Sequence, residues 1–163
     1  GVGGHCIPVD PQYLSFRTRQ IGQPVRFVEL AQEINNSMPL YVCDRVAQFL
    51  NNLGMPIKDS KILVYGVAYK PDIGDTRESP ASDIVDTLLD KGADVHYFDS
   101  YVPDFSTERN KLVSISEDES LKNYDMILIH TLHTDSDINK INESGVPVFD
   151  TTGSQDLKNT TKI

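Results

Sequence analysis

Apolar residues recur mostly at steps of three and four from Arg26 to Leu53, where Val28, Ala31, Ile34, Met38, Val42, Val46, Phe49, Leu50 and Leu53 mark one face of a long amphipathic helix. Pro39 lies inside that run, removing one intrahelical hydrogen bond and crowding the preceding turn, which predicts a kink or break near Ser37 to Pro39. Gly54 and Pro56 follow in the usual order for a helix end. Upstream, Gly1 to Gln23 holds a glycine-rich turn, then Pro8, Asp10 and Pro11. The segment Gln12 to Gln20 predicts a short half-buried helix carrying Tyr13, Leu14 and Phe16, with Ile21 just beyond.

Past Pro56 the pattern alternates. Ile62 to Val67 reads as a strand, Pro80 to Lys91 as a helix with Ile84, Val85, Leu88 and Leu89 on one face, and Asp94 to Phe98 as a second strand. A loop with Pro103 leads to a strand at Leu112 to Ile115, a helix at Glu117 to Lys122, an apolar strand at Met126 to His130, a helix near Asp135 to Asn142 and a last strand at Val146 to Phe149. Strands separated by helices imply right-handed crossovers and a parallel sheet covered on both faces. The fold class is therefore α/β: a long kinked helix followed by a doubly wound, Rossmann-like domain. The polar, Thr-rich tail Thr151 to Ile163 reads as poorly ordered.

A chain of 163 residues with 39% hydrophobic and 24% charged residues is long enough to bury a core without disulfides or metal. Its net charge of −9 repels phosphodiester backbones and anionic lipid, so nucleic acid and membrane are excluded as expected partners. No apolar run approaches the roughly 20 residues of a membrane span, and no basic-then-apolar leader opens the chain. With only two cysteines, the reading is cytoplasmic. The chain opens without Met inside a loop of functional character, which suggests a piece of a longer polypeptide.

In a doubly wound sheet the ligand sits beyond the carboxyl ends of the strands. Here the loop after the first strand, Ala68 to Pro80, does not spell GxGxxG, so a complete NAD site in this domain is not expected. The loop offers Tyr69 for stacking, Lys70 and Arg77 for phosphate or carboxylate, and a helix N-terminus at Ser79 to Pro80 whose amides favour an anion. An internal Asp75–Arg77 ion pair with Ser79 as an ordinary N-cap stands beside that reading. Cys6, after three glycines and His5, sits in an irregular segment that suits a covalent nucleophile, with Asp10 in reach if the segment turns helically; a small hydrophobe in a loop is the alternative. Cys43 reads as a packing residue. His5 has Cys6 beside it and is placed to lower the thiol pKa or to meet substrate. His96, His130 and His133 carry no metal-ligand spacing, and no metal site is expected. Asp99 reads as a turn residue rather than a ribose-binding acid.

The segments Gly1-Val2-Gly3-Gly4-His5-Cys6-Ile7-Pro8-Val9-Asp10-Pro11 and Tyr69-Lys70-Pro71-Asp72-Ile73-Gly74-Asp75-Thr76-Arg77-Glu78-Ser79-Pro80, with Asn36-Ser37-Met38-Pro39 between them, resemble the signatures of the UDP-glucose/GDP-mannose dehydrogenase family. The resemblance implies three parts: an upstream NAD-binding domain absent here, a central helix forming a homodimer, and a C-terminal domain that closes on the nucleotide sugar. Residues 1–23 would be the catalytic-cysteine loop and short helix, 24–57 the dimerisation helix, and 58–163 the UDP-sugar-binding α/β domain. It further implies oxidation of a primary alcohol to a uronic acid by two NAD, with Cys6 as nucleophile and Asp10 orienting the thiol or the hydrolytic water. Val2, Gly3, Gly4, Tyr69 and Lys70 match substrate contacts; Cys6, Ile7, Pro8, Val9 and Arg77 match residues near the cofactor.

The family's GxGxxG and its catalytic Lys, Asn and Glu lie upstream of Gly1. Its frequent D-x-R after the last strand is replaced by Asp150-Thr151-Thr152-Gly153. His5 before the cysteine, with Ile7 to Pro11 after it, resembles the members acting on UDP-N-acetylhexosamines (UDP-ManNAc or UDP-GlcNAc) in surface polysaccharide synthesis. The alternatives are a UDP-glucose 6-dehydrogenase and a non-catalytic nucleotide-binding dimerisation module.

Overall fold

A computed structural model of the chain describes residues 1–158 and 160–162. Helix α1 spans Asp10–Gln20 and α2 Arg26–Asn52. Then come β1 (Lys61–Tyr65), α3 (Pro80–Asp90), β2 (Asp94–Phe98), β3 (Asp104–Ser106), β4 (Lys111–Val113), β5 (Met126–Ile129), α4 (Ile138–Ser144), β6 (Val148–Asp150) and β7 (Thr160–Lys162). Strands β2-β1-β5-β6-β7 form one sheet in that order with every neighbouring pair parallel.

The two faces of the sheet follow from the period-2 alternation of strands that are apolar on both sides. Ile62, Val64, Met126, Leu128 and Phe149 face α2 and α3 in one core. Leu63, Tyr65, Ile127, Ile129 and Val148 face α4 and the 3-10 turn at Leu121–Asn123 in the other. Both cores are built on β1 and β5, which lie side by side with the chain reversing outward from them, so the C-terminal ends of this pair form the switch point of the sheet.

Six details depart from the sequence reading. Helix α2 runs unbroken through Pro39. Pro39 is buried where α2 meets the α/β domain, and the packing of Val42, Cys43, Val46 and Leu50 holds the helix together across the missing hydrogen bond. Gly54 at φ +76° ends it, with the Met55 amide donating to the Leu50 carbonyl and that of Gly54 to Asn51. In α1 the apolar residues Tyr13, Leu14 and Phe16 stay exposed and only Ser15 is buried, because the chain folds nothing over that helix face. The segment 111–113 leaves the main sheet and pairs antiparallel with β3, a hairpin tied to α3 where the buried Asp86 accepts from Thr107 Oγ1 and Asn110 Nδ2 at 2.6 Å each. The expected helix at 117–122 shrinks to the 3-10 turn, and α4 starts three residues late at the Asp137 cap, whose side chain accepts from the Lys140 amide. The tail is not wholly irregular: Thr160–Lys162 adds an edge strand beside β6, while Asn159 and Ile163 lie outside the described residues.

No helix among the described residues is long and apolar enough to cross a membrane.

Candidate functional site

Two distant segments meet at the switch-point end of the sheet. The Gly4 amide donates to the Arg77 carbonyl at 3.1 Å, laying the first loop along the one after β1. A Cβ at Gly3 would stand 2.5 Å from the Glu78 carbonyl oxygen, and one at Gly4, where φ is +93°, would stand 2.9 Å from the Tyr69 ring. These glycines are therefore required by contact, since any side chain would push the two loops apart. Asn35 of α2 fixes the other side: its Oδ1 accepts from the Val2 amide at 2.6 Å and its Nδ2 donates to the Val2 carbonyl at 3.1 Å. Nothing in local periodicity singles Asn35 out, because its partner lies 33 residues away.

Cys6 is exposed at the end of this seated loop. Its Sγ lies 3.3 Å from His5 Nε2, so the imidazole is the group in contact with the thiol. The segment after Cys6 does turn helically, with the amides of Val9 and Asp10 both donating to the Cys6 carbonyl. Asp10 thereby becomes the first residue of α1, but among the described residues no hydrogen bond joins its carboxylate to the thiol; it is the backbone of Asp10 that the turn ties to Cys6. Ile7 is exposed and Pro8 buried, with Val9 between them.

In the loop after β1, Tyr69 packs under Gly3 and Gly4 and carries the Lys70 ammonium 5.6 Å from its ring centroid. Arg77 is held by Asp75: Nε donates to both carboxylate oxygens and Nη2 to Oδ2 at 2.6 Å. The guanidinium holds the Asp75 carboxyl down at about 2, with His5 adding a smaller pull. The internal ion pair is thus real, while Arg77 stays 64% exposed beside the cysteine loop.

The anion site expected at the α3 N-terminus is not there. Pro80 has no amide hydrogen, the Ala81 amide is capped by Ser79 Oγ at 3.3 Å, and that of Ser82 donates to the Ser79 carbonyl. Glu78, Asp83 and Glu108 line the adjoining groove, and Asp83 is pushed up by burial and by the Glu108 charge. Three acidic residues around that groove make it an unfavourable place for a phosphate.

Asp99 is also more than a turn residue. It is buried at the end of β2, where Oδ2 accepts from the amides of Val67 and Ala68 at 2.7 and 3.1 Å and Oδ1 from that of Tyr101. These amides lie in the turn after β1, the position where a dinucleotide fold presents donors to a pyrophosphate. Gly66 closes the same turn: φ is +78°, and a Cβ would meet the Thr131 carbonyl oxygen at 2.0 Å. A protein carboxylate and a neighbouring strand end fill the cradle, so a dinucleotide does not fit there.

A cavity of about 180 Å³ remains between this turn, α2 and α3, lined by Gly1, Tyr69, Pro80, His130 and Thr131 among others. His130 is pushed down to about 4, chiefly by burial, so its imidazole is neutral; its Nδ1 lies 3.2 Å from the Gly66 carbonyl oxygen. Cys43 packs in the core and its thiol is driven up to about 12 by burial.

The chain is similar to known proteins along most of its length. Residues 63–156 match the UDP binding domain of the UDP-glucose/GDP-mannose dehydrogenase family, and residues 1–37 match its central domain. A UDP-N-acetyl-D-mannosamine dehydrogenase of Methanococcus maripaludis is 38% identical over 133 residues, 82% of this chain and 29% of that protein. Among solved structures, a UDP-D-ManNAc dehydrogenase from Pyrococcus horikoshii superposes with a TM-score of 0.79 at 26% identity, covering 100% of this chain and 38% of that one. A UDP-N-acetyl-mannosamine dehydrogenase from Staphylococcus aureus does so at 0.68 and 30% identity, covering 99% of this chain and 38% of that one.

Proposed function

The chain belongs to the UDP-glucose/GDP-mannose dehydrogenase family, and from that premise we propose that it is the central-helix and C-terminal part of an NAD-dependent nucleotide-sugar 6-dehydrogenase acting on a UDP-N-acetylhexosamine for surface polysaccharide synthesis. The observation that carries the reading is the seating of Gly3 and Gly4 on Tyr69 and Glu78, which presents Cys6 at the edge of the loop carrying Lys70 and Arg77. Residues 1–23 supply the thiol, 24–57 the dimer helix and 58–163 the UDP-sugar site. The names of the Methanococcus, Pyrococcus and Staphylococcus relatives support a UDP-N-acetylhexosamine, UDP-ManNAc before UDP-GlcNAc.

NAD, when bound, accepts the hydride at each of two oxidations. Cys6, Ile7, Pro8, Val9 and Arg77 would border it; the filled cradle after β1 leaves the dinucleotide itself to the upstream part. Once the sugar's primary alcohol has become an aldehyde, the Cys6 thiolate adds to the aldehyde carbon and the oxygen takes a proton, giving a thiohemiacetal. Loss of hydride from that carbon and of the proton from its oxygen gives a thioester. Water then adds at the thioester carbonyl, the thiolate leaves and the uronate is released. His5 takes the thiol proton at Sγ, and Asp10 orients the hydrolytic water. Val2, Gly3 and Gly4 lay backbone along the substrate, Tyr69 stacks on it, and Lys70 meets its phosphates.

Titration of UDP by calorimetry tests this assignment. Among the described residues no carboxylate pairs with Lys70, and Lys70→Ala weakens UDP binding about tenfold, the worth of one charge-assisted contact. Equal affinity for both proteins removes Lys70 from the site.

A second copy of the chain covers the exposed Phe27, Leu30 and Ile34 face of α2, and Phe27 at 89% exposure is the residue it buries first. Sedimentation at micromolar concentration gives a dimer; a monomer at that concentration sinks the homodimer.

A further inference from the structure

We propose that His133 is a positioning residue for the substrate loop, clamping its far bend to the end of β2, an inference that rests on the assignment of Tyr69 and Lys70 to the substrate site. His133 follows β5 with a side chain that is 1% exposed. Its Nδ1 accepts the backbone amide of Asp72 at 2.8 Å, and its Nε2 lies 3.1 Å from Asp99 Oδ1. An Nδ1 that accepts carries no proton, so the ring is the neutral Nε2–H tautomer, with Nε2 donating to the carboxylate. Asp99 in turn accepts the Val67 and Ala68 amides. One buried pair therefore holds both ends of the stretch that carries Tyr69 and Lys70: Asp99 grips the entry and His133 the bend.

The bend is one that would not persist without support. Asp72 is a non-glycine residue at φ +62°, a conformation that costs free energy unless its surroundings impose it. The imposition comes from both sides: His133 takes the Asp72 amide, while the Asp72 carboxylate accepts from the Thr134 amide and Oγ1 at 2.7 Å each. The Tyr101 ring packs against the His133 ring at 4.6 Å, and Gly74 approaches the Tyr101 carbonyl so closely that a Cβ would stand at 2.6 Å. An apolar residue at 133 would fill the space and keep the stacking but release the amide of Asp72.

The test compares His133→Phe with His133→Asn, whose Oδ1 stands near the place of Nδ1. In the Phe variant the Asp72 amide exchanges at least about tenfold faster by NMR, UDP affinity falls about tenfold, and in the dehydrogenase carrying this chain KM for the nucleotide sugar rises while kcat is little changed. His133→Asn recovers the Asp72 protection and most of the affinity. A Phe variant with wild-type exchange and affinity overturns the clamp, as does an Asn variant no better than Phe, which would make His133 a core residue only. A wild-type chain that binds no UDP overturns the substrate reading instead, and the Asp72 exchange rates then still decide the clamp.

Discussion

Replacing Cys6 by Ala in the dehydrogenase that carries this chain lowers uronate formation on the order of 10³-fold or more while UDP-sugar binding persists. The thiol is exposed, so its removal opens no cavity and costs the fold little. On the proposed mechanism, what is lost is the covalent bond that turns an aldehyde into a species able to give up a second hydride. Cys6→Ser keeps the shape and hydrogen-bonding reach but offers a hydroxyl in place of a thiol at 3.3 Å from His5, a far weaker nucleophile without a thiolate's ease of departure. It stalls at the aldehyde or acyl stage with little uronate released. Counting NADH against uronate, with mass spectrometry of the protein for a retained adduct, checks both variants. Two NADH per sugar at the wild-type rate from Cys6→Ala would make the cysteine a bystander and overturn the thioester mechanism.

Gly66→Ala unfolds the α/β domain at a markedly lower temperature than the parent chain. The substitution meets two penalties at once. The residue sits at φ +78°, where an L side chain is strained by about 1 kcal/mol or more, and its Cβ would be 2.0 Å from the Thr131 carbonyl oxygen. That oxygen belongs to backbone at the end of β5, so relief requires prying β1 and β5 apart where the cavity wall of His130 and Thr131 stands. The combined cost is on the order of 3 kcal/mol, roughly a 10 °C fall in Tm for a chain of this size. Gly22→Ala is the control: φ is +74° but nothing lies within 4 Å of the built Cβ, so only the conformational penalty applies. Equal Tm losses for the two variants would show that the close approach at Gly66 contributes nothing.

The sequence by itself determined those features that depend on neighbours along the chain. Strands β1, β2, β5 and β6 are legible because each is a short apolar run bounded by polar turns, and α2 and α3 because their apolar residues recur at helical spacing. The parallel order follows from strands separated by helices. The two signature segments were legible by resemblance, and the Asp75–Arg77 pair by a spacing of two residues.

Only the tertiary structure decided what depends on partners distant in sequence. Pro39 breaks a helix in isolation, but packing against the α/β domain keeps α2 continuous through it as one element. A free helix N-terminus attracts anions, yet Ser79 and the acids of the adjoining groove leave none of that attraction at α3. Asp99 looks like a turn residue until the fold brings the amides of Val67 and Ala68, more than 30 residues earlier, onto its carboxylate. Asn35 and His133 have no signal in the sequence for the same reason. Each satisfies a backbone group far along the chain, and a buried polar group is assigned its partner by the packing that removes water from it, not by the residues on either side.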